Sequence, residues 1–220
     1  MLPNMYAFFS GPMLWIAFSV FLFGFAAKMI STFTLSRSKD RIFYNHASAV
    51  WGIKSVLMWL LPLGSVSMRC QPFFTLIGFL FHISLFTVPI FLNAHNILWD
   101  ESFGISLWSI PDFISDSLTI ACILSGIFLL LRRAVKREVR ILTEKRDYAL
   151  IIITLLPFIT GFLACHQWGD YETMLILHIV AAEILLIIIP FTKLSHMILF
   201  FFTRLFIGFE MGGRRGTKTW

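Results

Sequence analysis

Six histidines occur in this chain of 220 residues, and four of them fall in long apolar runs. An ionisable side chain at membrane depth is costly enough that each one asks for a reason. His178 and His196 are 18 residues apart. On one continuous helix that is five whole turns, hence one face, with ~27 Å between them along the axis. His82 and His95 share a second run, FHISLFTVPIFLNAH. Imidazole nitrogen is a natural axial ligand for haem iron, and the macrocycle fits between facing helices of a bundle. If the two runs are antiparallel, His82 reaches the depth of His196 and His95 the depth of His178. The spacing then predicts two haem b groups, an inner one on His82 and His196 and an outer one on His95 and His178. Groups at two levels would let an electron cross a bilayer in hops. Thirteen residues separate His82 from His95, which on an ideal helix leaves them about 140° from a common face. Pro89 lies between them, and a kink there would restore the alignment. His166 is the substitute partner for His178 should it not. His46 reads as a surface or packing histidine.

These side chains need long helices to carry them. The composition is 58 % hydrophobic and 14 % charged, which excludes an ordinary water-soluble domain. Five runs, about 12–33, 72–95, 112–131, 148–165 and 173–203, can each cross a hydrocarbon core of ~30 Å as a helix of roughly 20 residues. Their backbone must satisfy itself, and the alternation of a membrane β-barrel is absent. No basic stretch precedes the first run, so it is read as a span rather than a cleaved leader. The expected fold is all-α: a single membrane domain over 1–220 with five transmembrane helices.

Orientation follows from the 18 Lys and Arg. They lie between or near the ends of the first two runs (Lys28 among them), between the third and fourth, near the inner end of the fifth (Lys193) and after it. The other connections carry Asp100, Glu101, Asp170 and Glu172 without any base. The amino terminus is therefore expected outside and the carboxyl terminus in the cytoplasm. The net charge of +6 is first a matter of this topology, and nucleic-acid binding is not indicated. HASAVWGIKSVLMWLLPLG (46–64) is too short and interrupted for a sixth span and reads as a cytoplasmic interfacial helix between helices one and two. Cys70, Cys122 and Cys165 have no Cys-x-x-Cys spacing and read as small hydrophobes. Trp15, Trp99, Trp108 and Trp168 near the span ends suit an aromatic belt.

The segment HIVAAEILLIIIPFTKLSH (178–196) resembles the last helix of the gamma-subunit cytochrome b family of respiratory nitrate reductase. There a histidine, a Pro-Phe-Thr-basic-Leu segment and a second histidine recur at this spacing. FHISLFTVPIFLNAHNILWDESFGISLW looks closer still to the membrane cytochromes b of the Hmc, Tmc and Dsr redox complexes of sulfate-reducing bacteria. The resemblance implies a dihaem b-type cytochrome subunit of a respiratory complex in the bacterial inner membrane. It implies electron exchange between a quinone pool, menaquinone being the expected one, and a cytoplasmic heterodisulfide-reductase-like iron-sulfur subunit. A periplasmic multihaem cytochrome c and further membrane subunits are implied as partners beside the lipid bilayer. Two departures stand out: the thirteen-residue histidine spacing is wider than in the nitrate reductase type, and the outer segment lacks the lysine of that family's quinol site.

Quinol oxidation needs a proton acceptor near the outer haem, and the available groups are His166, Asp100, Glu101 and Asp170. Lys193 is placed to snorkel to the inner interface or to meet a haem propionate. Glu183, five residues beyond His178, is either a carboxylate on a proton path or a protonated side chain satisfied by a helix neighbour. The rival from another class is a haem-free scaffold or transporter subunit whose histidines pack or relay protons. Transporters usually carry pseudo-repeats and broken helices, and neither is visible in the sequence.

Overall fold

An apolar run inside lipid has no water for its amides and must close every backbone hydrogen bond on itself, which a helix does. The computed structural model describes residues 2–39 and 48–211, and His46 lies outside them. Every regular element among the described residues is helical: α1 (Leu2–Phe8), a π turn (Phe9–Met13), α2 (Leu14–Lys39), α3 (Ala49–Leu60), α4 (Val66–Cys70), α5 (Pro72–Phe91), α6 (Asn93–Phe103), α7 (Asp112–Val135), α8 (Arg137–Ile141), α9 (Lys145–Cys165), α10 (Tyr171–Ile188), two 3-10 turns (Ile189–Phe191, Lys193–Ser195) and α11 (His196–Met211). Five stretches are long and apolar enough to cross a membrane: Met5–Lys39, Pro72–Phe91, Asp112–Val135, Lys145–Cys165 and Tyr171–Phe191.

Two of the expected spans break. The second ends at Phe91, because Leu92 adopts an extended conformation (φ −66°, ψ 132°) and the chain restarts as α6. The fifth does not run from 173 to 203 as one helix. Pro190 has no N–H to donate, and its ring crowds the carbonyl one turn back at Leu186, so the helix gives way to 3-10 turns before α11 begins at His196. The premise that His178 and His196 share one helix face is therefore overturned. The first span starts with a π turn around Pro12, where the missing amide loosens the hydrogen-bond ladder.

The chain divides into two compact units, one of Met1–Ser10 and Leu76–Ala182, the other of Gly11–Thr75 and Glu183–Trp220. In the first, Phe81, Val88, Cys122, Leu155 and Phe158 form the core. Helices α7 and α9 meet closely at Gly126, where a Cβ would come within 2.5 Å of the Leu155 side chain. The basic turn between them is fixed by Tyr148, whose hydroxyl donates to the Arg133 carbonyl at 3.0 Å, and by a reciprocal cap between Glu144 and Asp147. Hydroxyls inside the spans turn back to their own helix: Thr119 donates to Ser115 O and Thr154 to Leu150 O, each at 2.7 Å. That is how a polar side chain is accommodated in lipid.

In the second unit, α3 lies against α11 through two glycines. A Cβ at Gly52 would sit 2.1 Å from the Phe209 ring, and one at Gly208 would sit 2.6 Å from the Ser55 Cβ. Only hydrogen at both positions lets the helices come this near. The far side of α3 presents Val50, Ile53 and Leu57 exposed.

Candidate functional site

The break at Leu92 sets up the site. A helix leaves its last four carbonyls without intrahelical partners, and in α5 three of these are claimed by specific groups. Leu92 N donates to Val88 O at 3.0 Å, and Ile110 N donates to Phe91 O at 3.0 Å as the following loop folds back. Pro89 O accepts from Nδ1 of His95 at 2.9 Å. The chain's reversal thus swings His95, the third residue of α6, against the end of the preceding helix. Across from it, His178 on α10 donates from Nδ1 to the Pro157 carbonyl of α9 at 2.8 Å. Residue 161 has to be glycine for this. A Cβ there would lie 2.9 Å from both Cε1 and Nδ1 of the His178 ring.

The two rings end up 6.0 Å apart between centres, with planes 16° from parallel. Because each Nδ1 carries the proton it gives to a carbonyl, each neutral ring has its lone pair on Nε2. No described residue donates to either Nε2. A backbone-bonded Nδ1 is the usual support for an imidazole that ligates a metal through Nε2. Two imidazoles bound end-on to one metal at ~2 Å have ring centres roughly 6 Å apart, so the donor type and the separation are those that two imidazole ligands of one haem iron would need. An offset-stacked imidazole pair also falls in this distance range, yet it would leave two lone pairs in a part-buried space with no donor.

The other two predicted ligands also bond a backbone carbonyl through Nδ1, each within its own unit. His82 on α5 donates from Nδ1 to Gly78 O at 2.7 Å and is exposed on the first unit. His196 opens α11 in the second unit and donates from Nδ1 to Lys193 O at 2.8 Å. A groove of about 360 Å³ runs beside it, lined by Lys193, Ser195, His196, Leu199, Thr203 and Arg204 among others. Lys193 and His196 thus share one groove. Arg204 adds a second cation there and lies 3.4 Å above the Trp59 ring.

The proton candidates separate. His166 is set against Asp116, Nε2 to Oδ2 at 3.3 Å, while His178 has His95 for its ring neighbour. Asp100 and Glu101 are exposed on the last turn of α6. Asp170 caps α10: its Oδ2 accepts from the Thr173 amide at 3.0 Å and from the Thr173 hydroxyl at 2.5 Å. These bonds hold its carboxyl below the usual carboxylate range, so it stays ionised and is a poor proton acceptor near neutrality. Glu183 is 1 % exposed, and its Oε1 has no hydrogen-bond partner among the described residues; the expected helix neighbour does not satisfy it.

Three positions that shape these contacts are not marked in the sequence. Gly161 and Pro157 lie on a helix that carries no predicted ligand, and only their four-residue spacing on one face could have flagged them. Lys28 reads in the sequence as a topology charge. Its Nζ donates to Pro190 O at 3.1 Å and Ser195 Oγ at 2.9 Å, so it closes the carbonyl that the broken helix leaves open.

No family model matches the chain. A protein of Nitratidesulfovibrio vulgaris, named simply "Protein", is 43 % identical over 219 residues, covering 98 % of this chain and 97 % of its own length. At that identity and coverage, this chain belongs to one family with the Nitratidesulfovibrio vulgaris protein.

Proposed function

We propose that this chain is a dihaem b-type cytochrome subunit of a respiratory redox complex in the bacterial inner membrane. The observation that carries the reading is the His95–His178 pair, two near-parallel imidazoles 6.0 Å apart, each with Nδ1 locked to a proline carbonyl. These two residues hold the outer haem, and Gly161 keeps the space that the His178 ring occupies. The assignment of His82 and His196 to the inner haem rests on the sequence and on the resemblance, supported by the Nδ1 bond each makes within its own unit. Lys193 and Arg204 offer positive charge to propionates in the groove beside His196. Bound haem iron supplies one-electron transfer; the protein's part is to fix the imidazoles and exclude water.

With the amino terminus outside, quinol or a periplasmic multihaem cytochrome c exchanges electrons at the His95–His178 end. The cytoplasmic partner is a heterodisulfide-reductase-like iron-sulfur subunit, and α3 with its exposed apolar side lies at the cytoplasmic interface. Asp170 drops out as a proton acceptor for quinol; Asp100, Glu101 and His166 remain.

The second reading, a haem-free transporter or scaffold subunit, gains one observation. The fifth span is broken at Ile189–Ser195, and unwound segments at depth are a transporter feature. Here Lys28 and Ser195 fill the break with protein groups. A pyridine haemochrome count on the purified full chain decides between them. Two haems b per chain is the expected result, and none refutes the cytochrome reading.

A further inference from the structure

Away from the paired imidazoles, the first unit assembles a second set of ligating side chains. Asp116 lies in the second turn of α7, Cys165 is the last residue of α9, and His166 follows it. A carboxylate oxygen, the thiol sulfur and an imidazole nitrogen from these three all lie within 4.8 Å of one another. The turn that brings them together is tight, with Gln167 in the left-handed region (φ 52°) and Gly169 at φ 92°. The His166 ring is held by Phe162, 4.2 Å away and nearly parallel, and by Trp168 at 5.9 Å.

Protonation makes the arrangement informative. His166 donates from Nδ1 to Phe162 O at 3.0 Å, so the neutral ring has its lone pair on Nε2. That lone pair stands 3.3 Å from Asp116 Oδ2, one acceptor against another. Something positive has to lie between them, either a proton on the imidazole or a metal ion. With bonds of ~2.0–2.1 Å to nitrogen and oxygen, two ligands of a tetrahedral ion are roughly 3.3 Å apart, which matches the observed separation. Cys165 supplies the third donor and decides the class. Imidazole, carboxylate and thiolate together suit a borderline-soft ion such as Zn2+, and not Mg2+ or Ca2+. Asp112 precedes Asp116 by one turn, and residues 92–131 and 147–192 contain no Lys or Arg, so the two chain stretches that build the cluster bring carboxylates and no fixed positive charge.

We infer that Asp116, Cys165 and His166 form a zinc site that clasps the start of α7 to the end of α9, with a fourth position open to water. The inference does not use the four histidines assigned to iron, His82, His95, His178 and His196; a zinc-bound His166 would leave Asp100 and Glu101 as the proton acceptors for quinol. Binding would replace the thiol proton by the metal, releasing that proton to solvent.

The test is zinc added to the tag-free full chain in detergent, read by elemental analysis and by X-ray absorption at the zinc edge, where haem iron does not interfere. One zinc per chain with one sulfur and the rest nitrogen or oxygen is expected. Cys165→Ser should remove the sulfur shell. His166→Ala and Asp116→Asn should weaken binding by more than the roughly 10–100-fold typical of losing an outer-shell partner. Zinc should raise the melting temperature of the parent chain and of Cys70→Ser, and fail to raise it in the three ligand variants. Zinc bound without sulfur, or binding that all three substitutions leave unchanged, or none at all, overturns the site and leaves a His166–Asp116 ion pair in its place.

Discussion

Pro89 and Pro190 each precede a histidine by six residues, and the chain uses the two intervals differently. At Pro89 the helix stops two residues later, and the histidine beyond the break bonds the proline carbonyl itself. At Pro190 that carbonyl goes to a remote cation, Lys28, and the histidine ring bonds the Lys193 carbonyl three residues back. His95 is consequently tied across its break and half-buried, whereas His196 is tied locally and exposed. The same proline-to-histidine interval can therefore place a histidine across the break or within its own turn. What separates them is which group claims the carbonyl that the break sets free.

Breaking the first arrangement should have the largest effect. His95→Ala or His178→Ala should each lower the haemochrome count from two to one, with the loss visible in the reduced-minus-oxidised spectrum. Next comes Gly161→Ala, whose Cβ meets the His178 ring. It should displace the ring, shift the potential of one haem only, and cost about 1–3 kcal/mol through overpacking; a redox titration with both midpoints unchanged would contradict the crowding. Lys28→Met tests the second arrangement. Leaving Pro190 O and Ser195 without their donor should cost about 1–3 kcal/mol in thermal or denaturant unfolding, while the spectrum of the outer haem stays as in the parent.

The smallest expected effect is at Asp170. Its folded-state carboxyl is held below the ordinary value by Thr173, so the stabilisation it gives is present above the unfolded-state pKa and fades as pH falls through the folded one. Asp170→Asn should lower the melting temperature slightly at pH 7 and leave it unchanged at a pH acid enough to protonate the parent residue. A difference that persists in acid would mean the cap does not depend on ionisation.

The all-α plan was legible because apolar run length alone fixes it, and the five long helices coincide with the five expected runs over most of their lengths. The His95–His178 meeting was legible too, although ideal helix geometry argued against it. The helix breaks at Leu92, three residues beyond Pro89, and the restarted chain brings the His95 ring to the Pro89 carbonyl. A break in φ/ψ at a leucine leaves no compositional mark. The fifth span was misread for the opposite reason: Pro190 does mark a break, and the strength of the surrounding hydrophobicity overrode it. Long-range partners stayed hidden throughout. Lys28 with Pro190, Pro157 with His178 and Asp116 with His166 are 162, 21 and 50 residues apart in sequence, and each depends on packing that no local pattern encodes.

The central claim is that His95 and His178 serve one and the same haem, and the haem content of the double variant His95→Ala/His178→Ala tests it most directly. The account predicts one haem per chain, as in each single variant, because the second substitution removes nothing further. A folded double variant carrying no haem would show that the two histidines serve different irons, and would contradict it.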